Sequence, residues 1–237
     1  LYERTNPAVR SQLHRKVGTT LERQRAPGAP VAAAELAMHV DLGREPMAAL
    51  RYYVEAADTA LARLSPRECL SFTEHALTLL GQAPEGTERD ALEIALATLR
   101  GLSATHVHGV SHPEAKSAFQ RAYSLLADIP EHPMRGRLLH GFAFVLSLRA
   151  DYAEALAVAE RAEELSSASN DPVLVLVTCI VHGYVAQLQG RPRAAGPWIE
   201  RGLALAELLD LAPAEVFVAD PQVTLLGLLG MHLLNSG

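Results

Sequence analysis

The side chains best able to do chemistry in this 237-residue chain are its ten histidines and two cysteines. Three imidazoles crowd one stretch, Thr105-His106-Val107-His108-Gly109-Val110-Ser111-His112. Three ring nitrogens converging on one point could hold zinc. On a helix, though, residues two apart point to different sides, and His112 falls where a helix should start. The stretch therefore reads as a polar connection between helices, with no metal. Cys69 and Cys179 have no second Cys or paired His at ligand spacing and cannot form a disulfide framework. Both lie in apolar helical patterns, where a thiol behaves as a small hydrophobe. Glu154, Glu160, Glu163 and Glu164 beside Arg161 read as a solvated helix face. No nucleophile or acid–base pair has the enclosed setting that catalysis requires. The sequence reads as non-enzymatic, with no cofactor.

The elements that would carry any site are helices. Aromatic residues are only 5% of the chain while Ala and Leu dominate, a bias toward close-packed helices over strands. Prolines punctuate the sequence as helix starters, since a first-turn Pro lacks only an N–H that has no partner anyway. Asn6-Pro7, Ser65-Pro66, His112-Pro113, Asp171-Pro172 and Asp220-Pro221 each place a capping residue before an apolar-periodic stretch, and Glu45-Pro46 and His132-Pro133 fit less well. Ser65 with Glu68 and Ser111 with Glu114 read as capping boxes, and Gly43, Gly81 and Gly190 as helix-ending glycines. The periodicity predicts helices over 7–25, 31–42, 46–63, 66–82, 88–108, 113–127, 134–149, 152–168, 172–189, 193–209 and 221–235. Pro197 is tolerable if its helix starts at Arg193 or Ala194. The fold class is all-α.

Net charge is −6, but residues 1–30 carry six Lys/Arg against two Glu. An acidic body with a short basic start is not in itself a nucleic-acid surface. No apolar run reaches the ~18 residues of a membrane span.

Small residues recur two helical turns apart, on one helix face, as Cys69/Ala76, Ala115/Ala122, Ala155/Ala162 and Ala195/Gly202. Successive pairs are 46, 40 and 40 residues apart, one helical hairpin per period. A hairpin cannot bury its apolar face alone, so such units stack. On the first helix Val9, Leu13, Val17 and Leu21 form a stripe every four residues. It is expected to pack onto the first helical hairpin around Leu36 and Val40; the other reading is a docking face for an upstream NTPase or for DNA.

These repeats resemble tetratricopeptide repeats. The matching positions are Gly183, Gly190, Pro192, Ala195 and Gly202; Tyr152, Ala155 and Ala162; and Ala115, Phe119, Ala122 and Pro130. The spacing exceeds the usual 34 residues of that family and resembles the longer, degenerate repeats in the C-terminal arms of bacterial signal-transduction NTPases (the STAND ATPases). These include maltose-activator-type regulators and ATPase-linked winged-helix or cyclase proteins. Leu1-Tyr2-Glu3, Pro7 to Arg10, Gln12 to Val17 and Leu21-Glu22 resemble the last helix of the winged-helix subdomain in that group, as do the Ala-rich stretch Ala48 to Ala60 and the helix start at Asp220-Pro221. The resemblance implies an α–α superhelix, a right-handed solenoid of tetratricopeptide-like hairpins over residues 31–237, preceded by a terminal winged-helix-like element over residues 1–30. It implies a non-catalytic sensing or protein-interaction arm of a cytoplasmic transcriptional regulator. An NTPase module would lie upstream, because no Gly-x-x-x-x-Gly-Lys-Ser/Thr occurs here. Carried over by repeat position, the concave groove would be lined by Arg51, Asp58, Arg100, His108, Arg137, His140, Phe144, Tyr184 and Gln187. Arg, His and aromatic side chains together suit a protein or peptide with acidic groups, or a small-molecule inducer. The alternatives are a self-assembling homo-oligomeric scaffold and the regulatory arm of a multidomain nucleotide cyclase.

Overall fold

The computed structural model describes residues 6–25, 32–209 and 220–236. Among them the chain is all-helical: α1 (Pro7–Gln24), α2 (Ala33–Leu42), α3 (Pro46–Ala62), α4 (Pro66–Leu79), a 3-10 turn (Leu80–Gln82), α5 (Thr87–His108), α6 (Pro113–Leu126), α7 (Arg135–Leu148), α8 (Tyr152–Ser169), α9 (Pro172–Leu188), α10 (Pro192–Leu208) and α11 (Pro221–Ser236). No described helix is long and apolar enough to cross a membrane. The winged-helix-like residues Leu1-Tyr2-Glu3 lie outside the described residues.

Most of the proline-marked starts are real. Asn6, Asp171 and Asp220 each accept a bond from the first helical turn, at 2.9, 3.0 and 2.9 Å. His112 caps α6 through Nδ1, which accepts from the Glu114 N–H at 3.4 Å. The capping boxes do not form: Ser65 makes no side-chain cap bond, and at the second site His112, not Ser111, is the capping residue. The helix predicted from 134 starts at Arg135, after His132 Nδ1 has accepted from the Met134 N–H at 3.1 Å. Helix α10 begins at Pro192, so Pro197 falls in its second turn.

Four helix ends close in the same way. The second residue past the helix takes a left-handed conformation, at Arg44 (φ 61°), Leu64 (φ 59°), Ala150 (φ 62°) and Gly190 (φ 68°). The next N–H then reaches back five residues: Glu45 to Val40 at 3.2 Å, and Ser65 to Ala60, Asp151 to Leu146 and Arg191 to Ala186 at 2.9 Å. This is the six-to-one bond of a Schellman turn, which satisfies carbonyls left over at the helix end. Gly43 is not the left-handed residue of its turn; its φ is −73° and Arg44 takes that role. Gly81 sits inside the 3-10 turn.

The chain divides into two compact units, residues 1–103 and 104–237. In the first, α1 packs on α2, α2 on α3 and α3 on α4. Ala37, Val40, Ala49, Leu50, Tyr53, Ala76, Leu79, Leu80 and Leu96 form its core. In the second, α8 packs on both α7 and α9, α10 on both α9 and α11, and α7, α9 and α11 lie side by side. That is the helical-hairpin stacking that the repeats predict. Every member of the small-residue pairs is buried: Cys69, Ala76, Ala115, Ala122, Ala155, Ala162 and Ala195 have no exposed surface, and Gly202 is buried in α10. A Cβ on Gly202 would stand 2.9 Å from Leu225 Cδ2 and 3.2 Å from Cys179 Cβ. Ion pairs tie elements one repeat apart. Lys116 of α6 reaches Asp151 at 3.0 Å and Glu154 at 2.8 Å, and Arg135 of α7 reaches Asp171, the cap of α9, at 2.6 Å.

The α1 stripe does not pack as expected. Val9, Leu13 and Val17 are 45%, 53% and 40% exposed. Helix α1 docks instead through its opposite face. Gly18 lies over Val40, whose Cγ2 is 3.2 Å from where a Cβ would be. Ser11 and Arg15 donate to the Gly43 carbonyl at the end of α2, at 3.1 and 3.0 Å, where a cation also meets the negative end of the helix dipole.

The turns and the Gly202 contact give two stability predictions. Replacing Leu64 or Ala150 with Gly removes a left-handed Cβ clash and should stabilise the fold by about 0.5–1 kcal/mol each, while Gly190→Ala should cost a similar amount. Gly202→Val should cost about 1–3 kcal/mol by overpacking. Urea titration of the four variants checks both; unchanged midpoints would show that the turns and the contact relax without cost.

Candidate functional site

The helices α7, α9 and α11 present one face from which side chains repeat every forty residues. Phe144, Tyr184 and Thr224 occupy the same place on successive helices. Phe144 and Tyr184 stand with ring centroids 6.0 Å apart, tilted by 44°. His140 lies one turn before Phe144 and stacks on it at 6.3 Å. Together with Ser147, Ile180, Val181 and Thr224 these three line a shallow cleft of about 10 Å³. That is room for about one water and far below the ~300 Å³ of a small-molecule site.

Burial differs sharply within this group. Phe144 and Tyr184 are partly buried. Burial raises the Tyr184 phenol, so it stays protonated well above neutral pH. His140 is only 3% exposed, and burial pushes its pKa down to about 4. It is a neutral imidazole at pH 7. Arg137 and Gln187 are each 9% exposed. The Gln187 amide donates to the Leu228 carbonyl at 3.4 Å, joining α9 to α11, while its Oε1 is buried with no hydrogen-bond partner among the described residues. Arg137, His140 and Gln187 thus belong to the body of the helix layer, and Phe144 and Tyr184 to its surface.

The other expected groove residues are placed as follows. His108, exposed on the last turn of α5, stacks against His112 at 4.8 Å, with its Nε2 3.6 Å from Glu114. In the first unit Arg51 is exposed and paired with Glu88. Asp58 and Arg100 are partly buried on α3 and α5. Among the described residues no group of three His, Cys, Asp or Glu side chains could hold a metal ion. Cys69 and Cys179 are both buried, and burial raises the Cys179 thiol, which disfavours the reactive thiolate.

Residue-type reasoning missed Ser147, Ile180, Val181 and Thr224. The signals existed: Ser147 and Ile180 follow from the three- and four-residue steps around Phe144 and Tyr184, and Thr224 is one period beyond Tyr184. No protein-family model matches this chain, and no curated protein matches it significantly.

Because the folded-state pKa of His140 lies below the ordinary 6.5, the unfolded chain binds its proton first as the medium is acidified. The stability linked to this group is complete above pH 6.5 and is lost as the pH falls toward 4, about 3 kcal/mol over that interval. His14 and His182 are also lowered, both mainly by burial, but they persist in a His140→Leu variant. The difference between wild-type and variant pH–stability profiles should therefore fall by that amount between pH 6.5 and 4. Parallel profiles would show that His140 is solvated when charged.

Proposed function

We propose that this chain is a non-catalytic helical-repeat interaction arm that captures a protein segment on the outward face of α7 and α9. The partly exposed Phe144–Tyr184 pair carries the reading. Aromatic side chains with one face covered and one face open are the usual anchors of protein recognition, because they add apolar area at little cost in side-chain freedom. Cleft size favours a peptide lying across the rings over a small inducer inside. The acidic preference expected from Arg and His is supported less, since Arg137 is buried, His140 is neutral and Arg51 already holds Glu88. An apolar or aromatic segment suits the ledge better.

The same proposal places the arm in a multidomain cytoplasmic regulator of the signal-transduction NTPase type. The outward Val9, Leu13 and Val17 stripe of α1 supports that context, because it offers a neighbouring module an apolar face of the kind such arms present to the domain before them.

Selection of a displayed library of short peptides against the whole chain provides the test. Peptides rich in Phe, Leu or Trp should be enriched, and Phe144→Ala or Tyr184→Ala should weaken the best of them at least about tenfold. Far-ultraviolet dichroism should keep the helical signal in both variants. Binding unaffected by either change, or lost only together with the helical signal, would sink the reading.

A further inference from the structure

Helix α11 has two faces of opposite kind. Leu225 and Leu228 are buried against α9 and α10, and His232 turns inward, its Nδ1 2.9 Å from the Pro192 carbonyl. The other face is apolar and open: Val223 is 67% exposed, Leu226 52%, Met231 42%, Leu233 64% and Leu234 85%. At 100° per residue these five, with Gly227 and Gly230, fall within about 80° of one direction. On α9 the corresponding face is covered, with Ile199 of α10 seated 3.2 Å from the Cβ position of Gly183. A face of this kind takes a helix.

The two glycines sharpen the point. Glycine inside a helix costs roughly 1 kcal/mol relative to alanine. Gly18, Gly183, Gly196 and Gly202 each have a neighbouring atom 2.9–3.2 Å from where a Cβ would stand, so close packing accounts for them. Gly227 and Gly230 have nothing within 4 Å. Nothing in the described chain explains their smallness, whereas a second backbone approaching that face would.

We propose that the chain self-associates through this face, with α11 of one copy packed antiparallel against α11 of a second about a two-fold axis. Three features select a second copy as the occupant. First, α11 contains no Asp, Glu, Lys or Arg, so its face does not repel itself. Second, the open positions are self-complementary. An axis passing between Leu228 and Leu229 sets Val223 opposite Leu234 of the other copy, brings Gly227 level with Gly230 near the centre line, and puts Leu226 and Met231 at one level on the two flanks. An isologous contact requires this reciprocity, and the paired glycines stand at the point of closest approach. Third, the five large side chains expose roughly 550 Å² per copy, so covering them in both copies would remove at most about 1,100 Å² from water, the order of the ~1,000 Å² that a specific interface needs. This surface is independent of the Phe144–Tyr184 ledge, and the proposal holds whether or not the ledge binds a peptide.

Sedimentation equilibrium of the 237-residue chain tests it. The wild type should weigh twice the monomer mass at tens of micromolar. Leu226→Glu and Leu234→Glu, both at exposed positions, should return the monomer mass without loss of helical signal. Gly227→Ala with Gly230→Ala gives a readout that damage to the fold cannot mimic. The dissociation constant should rise at least about tenfold while the dilute monomer becomes more heat-stable. Orientation is read by oxidation. Val223→Cys combined with Leu234→Cys should crosslink two chains, whereas Val223→Cys alone should not, because in the antiparallel pair its two copies stand about 16 Å apart along the axis. Cys69 and Cys179 are buried and do not compete. A wild-type monomer at all concentrations, as expected if a further helix of a longer polypeptide owns this face, would overturn the proposal. So would dimers that survive both glutamate variants or crosslink through Val223→Cys alone.

Discussion

The structure depends on how closely one helix can approach the next. Where α4, α6, α8 and α10 meet their neighbours, the contact positions hold Cys, Ala or Gly, and all of them are buried. The tightest place shows the limit: at Gly202 even a methyl group would stand 2.9 Å from Leu225. Larger side chains there would push the axes apart and open voids along the whole contact, because interiors are packed at crystal-like density. The same closeness lets α8 touch both α7 and α9, and α10 touch both α9 and α11. Side-by-side placement of the odd-numbered helices follows from it, and so does the Phe144, Tyr184, Thr224 row.

Close approach fixes distance but not direction, and the turns supply that. Four left-handed helix ends with the same five-residue back-bond return the chain in one geometry. Only Gly190 of the four is a glycine, so the motif is held by the surrounding fold at Arg44, Leu64 and Ala150 against their local preference. Prolines then restart the next helix two residues later at Pro46, Pro66 and Pro192. The order in which turn and restart occur is what makes the period regular.

Much of this was legible in the residues. Apolar periodicity and proline placement locate the helix ends to within about three residues, and the forty-residue recurrence of small side chains identifies the contact face. Two kinds of information were not legible. The left-handed turn residues are chemically unremarkable, so Gly43 drew the assignment that belongs to Arg44. On α1, hydropathy pointed to Val9, Leu13 and Val17, yet the docking face is made by Gly18, Ser11 and Arg15. A glycine and two polar side chains aimed at a helix-end carbonyl have no apolar signature. Counting hydrophobic positions finds the greasy side of a helix, not necessarily the side that its neighbour needs.

The same distinction separates two kinds of groove residue. Repeat position correctly marked a row on α7 and α9, but a row includes both the residues that hold helices together and those that face outward. Arg137 lies two turns and Gln187 one turn from the aromatic ledge, and what makes them framework is their burial, a property set by where the neighbouring helix sits. His140 shows the consequence: identical in sequence terms to an exposed groove histidine, it is neutral because α7 carries it inward. Period tells which positions are equivalent; the distance to the adjacent helix decides whether an equivalent position is framework or surface. At α11 that distance is open, which is why its apolar side chains stand where those of α9 are covered.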